Sequence, residues 1–106
     1  MTESDIQNAI RLRLSEMGFA VFRTNVGKVR MPDGRWFNPG LPKGHPALYA
    51  VRSGKIYYIE VKTPTGKVSA EQEHFIATMR DRYGCVAGIV RSVQDAEELV
   101  THGYDD

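Results

Sequence analysis

The chain has a single cysteine, no long apolar run and almost no net charge, and each shortage narrows the kind of protein it encodes. Cys85 has no second cysteine to pair with and lies in an apolar stretch, so we expect a buried thiol in a reducing compartment. No stretch reaches the roughly 18 apolar residues of a membrane-spanning helix, and the first residues lack the pattern of a secretion leader. We therefore expect a cytoplasmic protein without a membrane partner.

The net charge of +1 conceals an uneven distribution along the chain. Residues 1–67 contain eleven Lys/Arg and five Asp/Glu, a net of +6, whereas residues 68–106 contain three and eight, a net of −5. Such a division predicts one basic and one acidic face, and the basic face suits phosphates. The alternative is a chance imbalance on a solvated surface.

A chain of 106 residues is expected to form one domain spanning 1–106. Hydrophobic periodicity predicts the element order αβ(β)ββαβα, in which the bracketed element is a small hairpin or ordered loop around Pro32-Asp33-Gly34. The expected helices cover 2–17, 69–83 and 94–101, and the expected strands cover 19–24, 47–51, 56–62 and 85–90.

Helix starts and buried faces follow from local spacing. Ser4 with Gln7, and Ser69 with Gln72, have the spacing of capping boxes, and Ser92 is a candidate cap for the last helix. The predicted buried face of the second helix consists of Phe75, Ile76, Met79 and Tyr83.

The strand over 56–62 carries the most informative motif. Alternate side chains of a strand share a face, so Glu60 and Lys62 project together. This pair is a weak signal alone, because exposed strand faces often carry both residue types. If Ser53-Gly54 is a hairpin turn, however, Arg52 faces Lys55 and position 47 lies directly opposite Glu60.

An acidic residue opposite Glu60 would suit the binding of a metal ion. Two carboxylates at 47 and 60 would repel unless a divalent cation lay between them, and hard cations favour oxygen ligands. The residue at this position is Ala47.

At this point the sequence resembles the virus-type replication-repair nuclease (VRR-NUC) domain of the PD-(D/E)xK nuclease superfamily. The resemblance covers almost the whole chain, and the order of elements fits. It implies an α/β, restriction-endonuclease-like fold with a mixed sheet flanked by helices. The matching residues are Glu3 and Gln7 in the first helix, Gly44-x-Pro46-[Asp expected]-Leu48, Glu60-x-Lys62, and Ser69-x-x-Gln72.

The resemblance implies an endonuclease that hydrolyses DNA phosphodiesters with Mg²⁺ or Mn²⁺. By it, Glu60, the backbone carbonyl of Val61 and the residue at 47 would hold the metal, and Glu3 would reach the site directly or through water. Lys62 would position or help deprotonate the attacking water. Glu3 as a helix-dipole residue remains the alternative to its site role.

Two further expectations concern this site. Gln72 is expected near the metal or phosphate, and a pure capping role is the alternative. Ala47 in place of the expected Asp predicts weak metal affinity and an inactive or severely impaired enzyme that still folds and binds DNA. Engineered inactivation and natural loss both remain open.

Basic and aromatic residues are interleaved between 25 and 43, which suits contact with a DNA backbone. A surface loop whose Trp36 and Phe37 pack on the core or on a second subunit is the alternative. Asp33 is interpreted as a turn residue, and the three histidines, His45, His74 and His102, have no zinc-like spacing. The expected DNA-binding residues are Arg23, Lys28, Arg30, Arg35, Lys43 and Lys67.

The family also implies a homodimer acting on branched DNA such as Holliday (four-way) junctions, in a bacterial or phage-infected cell. Three alternatives remain: a non-catalytic DNA-binding module, a restriction-type endonuclease acting on linear duplex, and a small structural or assembly protein.

Overall fold

A computed structural model of the chain describes residues 1–24, 29–37 and 41–103. Lys28, which the sequence assigns to DNA contact, lies outside these residues. The helices are α1 (Glu3–Glu16), α2 (Ala70–Asp81) and α3 (Val93–His102). The strands are β1 (Ala20–Arg23), β2 (Val29–Arg30), β3 (Trp36–Phe37), β4 (Leu48–Arg52), β5 (Lys55–Val61) and β6 (Val86–Val90).

The main sheet has four strands in the order β1-β4-β5-β6. β1, β4 and β5 pair antiparallel, whereas β5 and β6 pair parallel, because α2 connects them as a crossover. β2 and β3 form a separate two-stranded sheet, the hairpin expected around Pro32-Asp33-Gly34. The predicted element order and mixed sheet are confirmed.

The two faces of the main sheet have different partners. Side chains of α1 and α3 pack with alternate sheet residues in one buried cluster that includes Leu48, Ile59 and Val61. On the opposite face α2 covers β5 and β6, and the Phe75 ring packs against Tyr58 at a centroid distance of 5.6 Å. Glu60 shares the α2 face with Tyr58, because the two lie two residues apart on one strand.

The hairpin between β4 and β5 has the predicted register. Ser53 and Gly54 have φ values of 53° and 78°, as a tight turn that follows the twist of the strands requires. Arg52 pairs with Lys55 and Leu48 with Ile59, so position 47 lies opposite Glu60.

Three local predictions need correction. Helix α1 is capped by Thr2 with Asp5, not by Ser4 with Gln7, because the helix begins at Glu3, so Ser4 is already inside it, and Gln7 is buried. Tyr83 is 61% exposed, because α2 ends at Asp81 and the helical stripe does not extend to it. Cys85 is only partly buried.

None of the helices in the described ranges has the length and apolar character needed to cross a membrane.

Candidate active site

Glu60 is the centre of the candidate site. Its side chain is buried, with the residue 3% exposed. One carboxylate oxygen, Oε1, accepts a hydrogen bond of 3.1 Å from the backbone N–H of Ala47. The other, Oε2, accepts one of 3.2 Å from Gln72 Nε2 and lies 3.7 Å from Lys62 Nζ. Three positions that the sequence places in the site therefore meet at one carboxylate.

Burial raises the pKa of Glu60 above its ordinary value, because an apolar environment disfavours the charged form. The N–H of Ala47 and the ammonium of Lys62 oppose this change, whereas the charge of Glu3 adds to it. The side chain of Glu3 is itself exposed. The balance of these effects gives a carboxylate that ionises less readily than a surface glutamate.

Gln72 contacts both the cap residue of α2, Ser69, and the carboxylate of Glu60. Its Oε1 accepts a hydrogen bond of 2.9 Å from the N–H of Ser69, and its own N–H donates to Ser69 Oγ at 3.1 Å. Its Nε2 donates to Glu60, so one side chain caps α2 and fixes the carboxylate. Capping and a place in the site are compatible.

The chain enters β4 through a close approach to α2. Gly44 has a φ of +95°, and a Cβ atom there would lie 2.5 Å from the carbonyl oxygen of Glu71. Only glycine fits this position. Beyond it, Thr24 holds the segment by donating to the Pro46 carbonyl at 2.5 Å from its hydroxyl and to the Ala47 carbonyl at 2.8 Å from its backbone.

The segment that follows Lys62 is held by a residue that the sequence does not single out. Arg91 Nη1 donates to the carbonyl oxygens of Thr63, at 2.6 Å, and Gly66, at 2.8 Å. The backbone N–H of Lys62 donates to the Val90 carbonyl at 2.9 Å. Val90 and Arg91 therefore fix the backbone of Lys62 and of the segment that follows it. In the sequence, the only signal is an arginine between a buried strand and the cap residue Ser92.

His45 packs among aromatic side chains. Its ring centroid lies 5.0 Å from that of Phe75 and 5.9 Å from that of Tyr58, and its Nδ1 is 3.0 Å from the Pro46 carbonyl oxygen. This environment agrees with a structural role and not with a metal ligand.

The five predicted DNA-binding residues that the structure describes do not join the hydrogen bonds around Glu60. The Arg30 guanidinium lies over the exposed ring of Trp36, 5.6 Å from its centroid, and Arg35 binds Asp33 at 2.7 Å within the hairpin turn. Lys43 lies 3.6 Å from Glu71. Arg23 and Lys67 are exposed. The contacts of Asp33 are those of a turn residue.

The donors that are present do not fit a divalent cation. Within 1–24, 29–37 and 41–103, no group of three or more His, Cys, Asp or Glu side chains is arranged to hold a metal ion. Position 47 supplies only a methyl group, and both oxygens of Glu60 already have protein partners. Hard cations bind through several oxygens, and the side chain of Ala47 offers none.

Glu60→Gln is expected to change how stability depends on pH. A carboxyl group with a raised folded-state pKa stabilises the protein below the unfolded-state pKa, and this contribution is lost as pH rises through the folded-state pKa. The parent chain should therefore lose stability relative to Glu60→Gln between about pH 4.5 and neutral pH. Urea unfolding of both proteins across this range measures the difference. An unchanged or growing advantage of the parent toward neutral pH would contradict the raised pKa.

A scan of protein-family models gives no match. A search of curated proteins gives none either.

Several solved structures are similar to the chain, among them two whose descriptions name a domain or an activity. One is described as a VRR_NUC domain; it is 23% identical, with a TM-score of 0.69 over 98% of this chain and 100% of its own. The other is Archaeoglobus fulgidus Hjc, described as a Holliday junction resolvase; it is 20% identical, with a TM-score of 0.58 over 84% of this chain and 67% of its own. At such identities the similarity establishes the fold. The chain has a VRR-NUC-like fold of the PD-(D/E)xK type.

Proposed function

We propose that the chain is a metal-dependent endodeoxyribonuclease domain in which Ala47 prevents efficient cleavage but not DNA binding. One observation carries this proposal: the backbone N–H of Ala47 lies 3.1 Å from one oxygen of the buried Glu60 carboxylate, and the ammonium of Lys62 lies 3.7 Å from the other. A glutamate that only formed an ion pair would not need to be buried, because such a pair also forms on the surface. A buried glutamate beside a lysine, in this fold, is instead suited to a reaction at a phosphate.

The proposed roles follow from this geometry. In an Ala47→Asp variant, the new carboxylate, Glu60 and the Val61 carbonyl would hold Mg²⁺ or Mn²⁺, with Glu3 reaching the site directly or through water. Such a cation lowers the pKa of its bound water and stabilises charge on phosphoryl oxygens. Lys62 Nζ, 3.7 Å from Glu60, would orient the attacking water and offset the phosphate charge. Gln72 fixes the orientation of Glu60 by its hydrogen bond.

We further propose branched DNA as substrate and a homodimer as the active form. The Hjc structure, described as that of a Holliday junction resolvase, supports the first. A two-fold symmetric dimer would present two sites to two strands, which supports the second. The exposed basic residues Arg23, Arg30 and Lys67 suit the DNA backbone.

Binding of the parent chain to a labelled four-way junction is expected to depend strongly on salt. With about four phosphate contacts, the affinity should fall about a hundredfold between 50 and 200 mM salt. Lys67→Ala should reduce the slope of log affinity against log salt by about one. Lys55→Ala is the matched control, because Lys55 lies at the opposite end of β5 from Glu60. Fluorescence anisotropy measures each slope, and absence of binding at low salt would contradict a DNA-binding function.

Cleavage of linear, flapped and four-way DNA by Ala47→Asp and by the parent tests the catalytic proposal.

A second candidate function, a DNA-binding module that has lost catalysis naturally, is favoured by Ala47 itself. It predicts salt-dependent junction binding with no cleavage by either protein. Cleavage of linear duplex at fixed sites would instead favour a restriction-type enzyme.

A further inference from the structure

Three aromatic side chains form a row across the sheet on the face that carries Glu60. Phe22 of β1 pairs with Tyr49 of β4, and Tyr49 pairs with Tyr58 of β5. The rings of Phe22 and Tyr49 are stacked, with centroids 5.0 Å apart and planes 22° from parallel. The two ends of this row differ. Phe75 and His45 pack against Tyr58, whereas Phe22 is 46% exposed.

The aromatic row adjoins the candidate active site. The next row on the same face contains Thr24, Ala47 and Glu60, as shown by the hydrogen bonds from Thr24 to Ala47 and from Ala47 to Glu60. Same-face rows are about 7 Å apart and strands about 4.8 Å apart, so Phe22 lies roughly 12 Å from Glu60 along the sheet. A short run of single-stranded nucleotides spans this distance.

We infer that the exposed ring of Phe22, supported by Tyr49, is a stacking site for an unpaired nucleobase near the phosphate that the ammonium of Lys62 would face. This inference rests on the proposed function and specifies its substrate: DNA with an unpaired or splayed base beside the cleaved strand. A flat, apolar ring next to a site for phosphate chemistry has the two properties that bind single strands, a stacking surface and a nearby cationic group.

The size of the exposed surface favours a base over a second copy of the chain. A specific protein interface buries about 800 Å² on each partner. Among the described residues of this aromatic row, Phe22 is the most exposed, because Tyr49 and Tyr58 are already partly buried. One nucleobase matches an area of this size.

The test compares the binding of two DNAs of equal length, a fully paired duplex and a duplex with one unpaired 2-aminopurine. Phe22→Ala should weaken binding of the unpaired DNA about tenfold, which corresponds to about 1.4 kcal/mol. Binding of the paired duplex should change less than twofold. Phe22→Trp should retain both affinities. The parent and Phe22→Trp should quench 2-aminopurine fluorescence on binding, and Phe22→Ala should not. Leu12→Ala is the matched control, since Leu12 is 65% exposed on α1, on the other face of the sheet.

Several results would overturn the inference. Equal losses on both DNAs would show that Phe22 does not read an unpaired base, and would leave the proposed function intact. Loss of a dimer by Phe22→Ala in sedimentation equilibrium would assign the ring to a protein interface. A parent chain that binds neither DNA at 50 mM salt would refute both the inference and the proposed function. If Phe22→Ala does not fold by circular dichroism, Phe22→Leu decides, because it keeps apolar volume without a flat ring and should lose the selective binding.

Discussion

Ala47→Asp is expected to raise the rate of Mg²⁺- or Mn²⁺-dependent cleavage of branched DNA at least about a hundredfold over the parent chain. The register places the new carboxylate on the same face as Glu60, directly opposite it. A correctly held cation stabilises the developing charge by several kcal/mol, and each 1.36 kcal/mol is a factor of ten in rate. Single-turnover cleavage of a labelled four-way junction, with and without EDTA, measures the gain.

Two variants test whether a gain of cleavage depends on the charge at position 47 and on Lys62. Ala47→Asn has nearly the shape of the aspartate without its charge, so it should cleave far more slowly. Adding Lys62→Met to Ala47→Asp should abolish most of the gain, because the ammonium beside Glu60 is removed. No gain of cleavage by Ala47→Asp, on any of the three DNA forms, would refute the assignment of position 47 and leave the binding-module function in place.

The same variant is expected to become dependent on metal for its stability. Without metal, a second carboxylate next to the buried Glu60 adds like-charge repulsion, so Ala47→Asp should be less stable than the parent in EDTA. At about 100 times the dissociation constant, Mn²⁺ stabilises the folded state by about 2.7 kcal/mol. For a domain of this size that corresponds to a melting temperature higher by about 10 °C. Thermal unfolding in EDTA and in Mn²⁺ measures this change without any DNA.

The parent chain and Ala47→Asn are the controls for this measurement. Both should melt within about one degree of the same temperature in EDTA and in Mn²⁺, because neither supplies the second acidic ligand. An equal increase in all three proteins would mean that the metal binds elsewhere, and the proposed ligand set would then be incorrect.

The sequence predicts the centre of the site because that information is local. A two-residue turn at Ser53-Gly54 determines the pairing of β4 with β5, and strand alternation then determines which side chains share a face. Position 47, Glu60 and Lys62 follow from these two rules. The capping box of Ser69 and Gln72 is equally local, and the structure contains it.

What the sequence does not predict depends on contacts between distant segments. Arg91 holds the segment after Lys62 through backbone carbonyls, which carry no signature in the sequence. The cap of α1 is Thr2 and not Ser4, and Gln7, which has the spacing of a capping residue, is buried in the assembled fold. The exposure of Phe22, an apolar residue within a strand, is likewise not predicted by the strand pattern. Burial raises the pKa of Glu60, and only the assembled fold provides that burial.

The glycine at position 44 determines the backbone path into the site independently of the side chain at position 47. Its close approach to the Glu71 carbonyl sets the path of the chain into β4 by steric fit alone. That path does not require a bound ion. The backbone at position 47 therefore has the same position whether the residue is alanine or the expected aspartate. Under the proposed function, the side chain at position 47 would control cleavage while the backbone that DNA would contact keeps the same path.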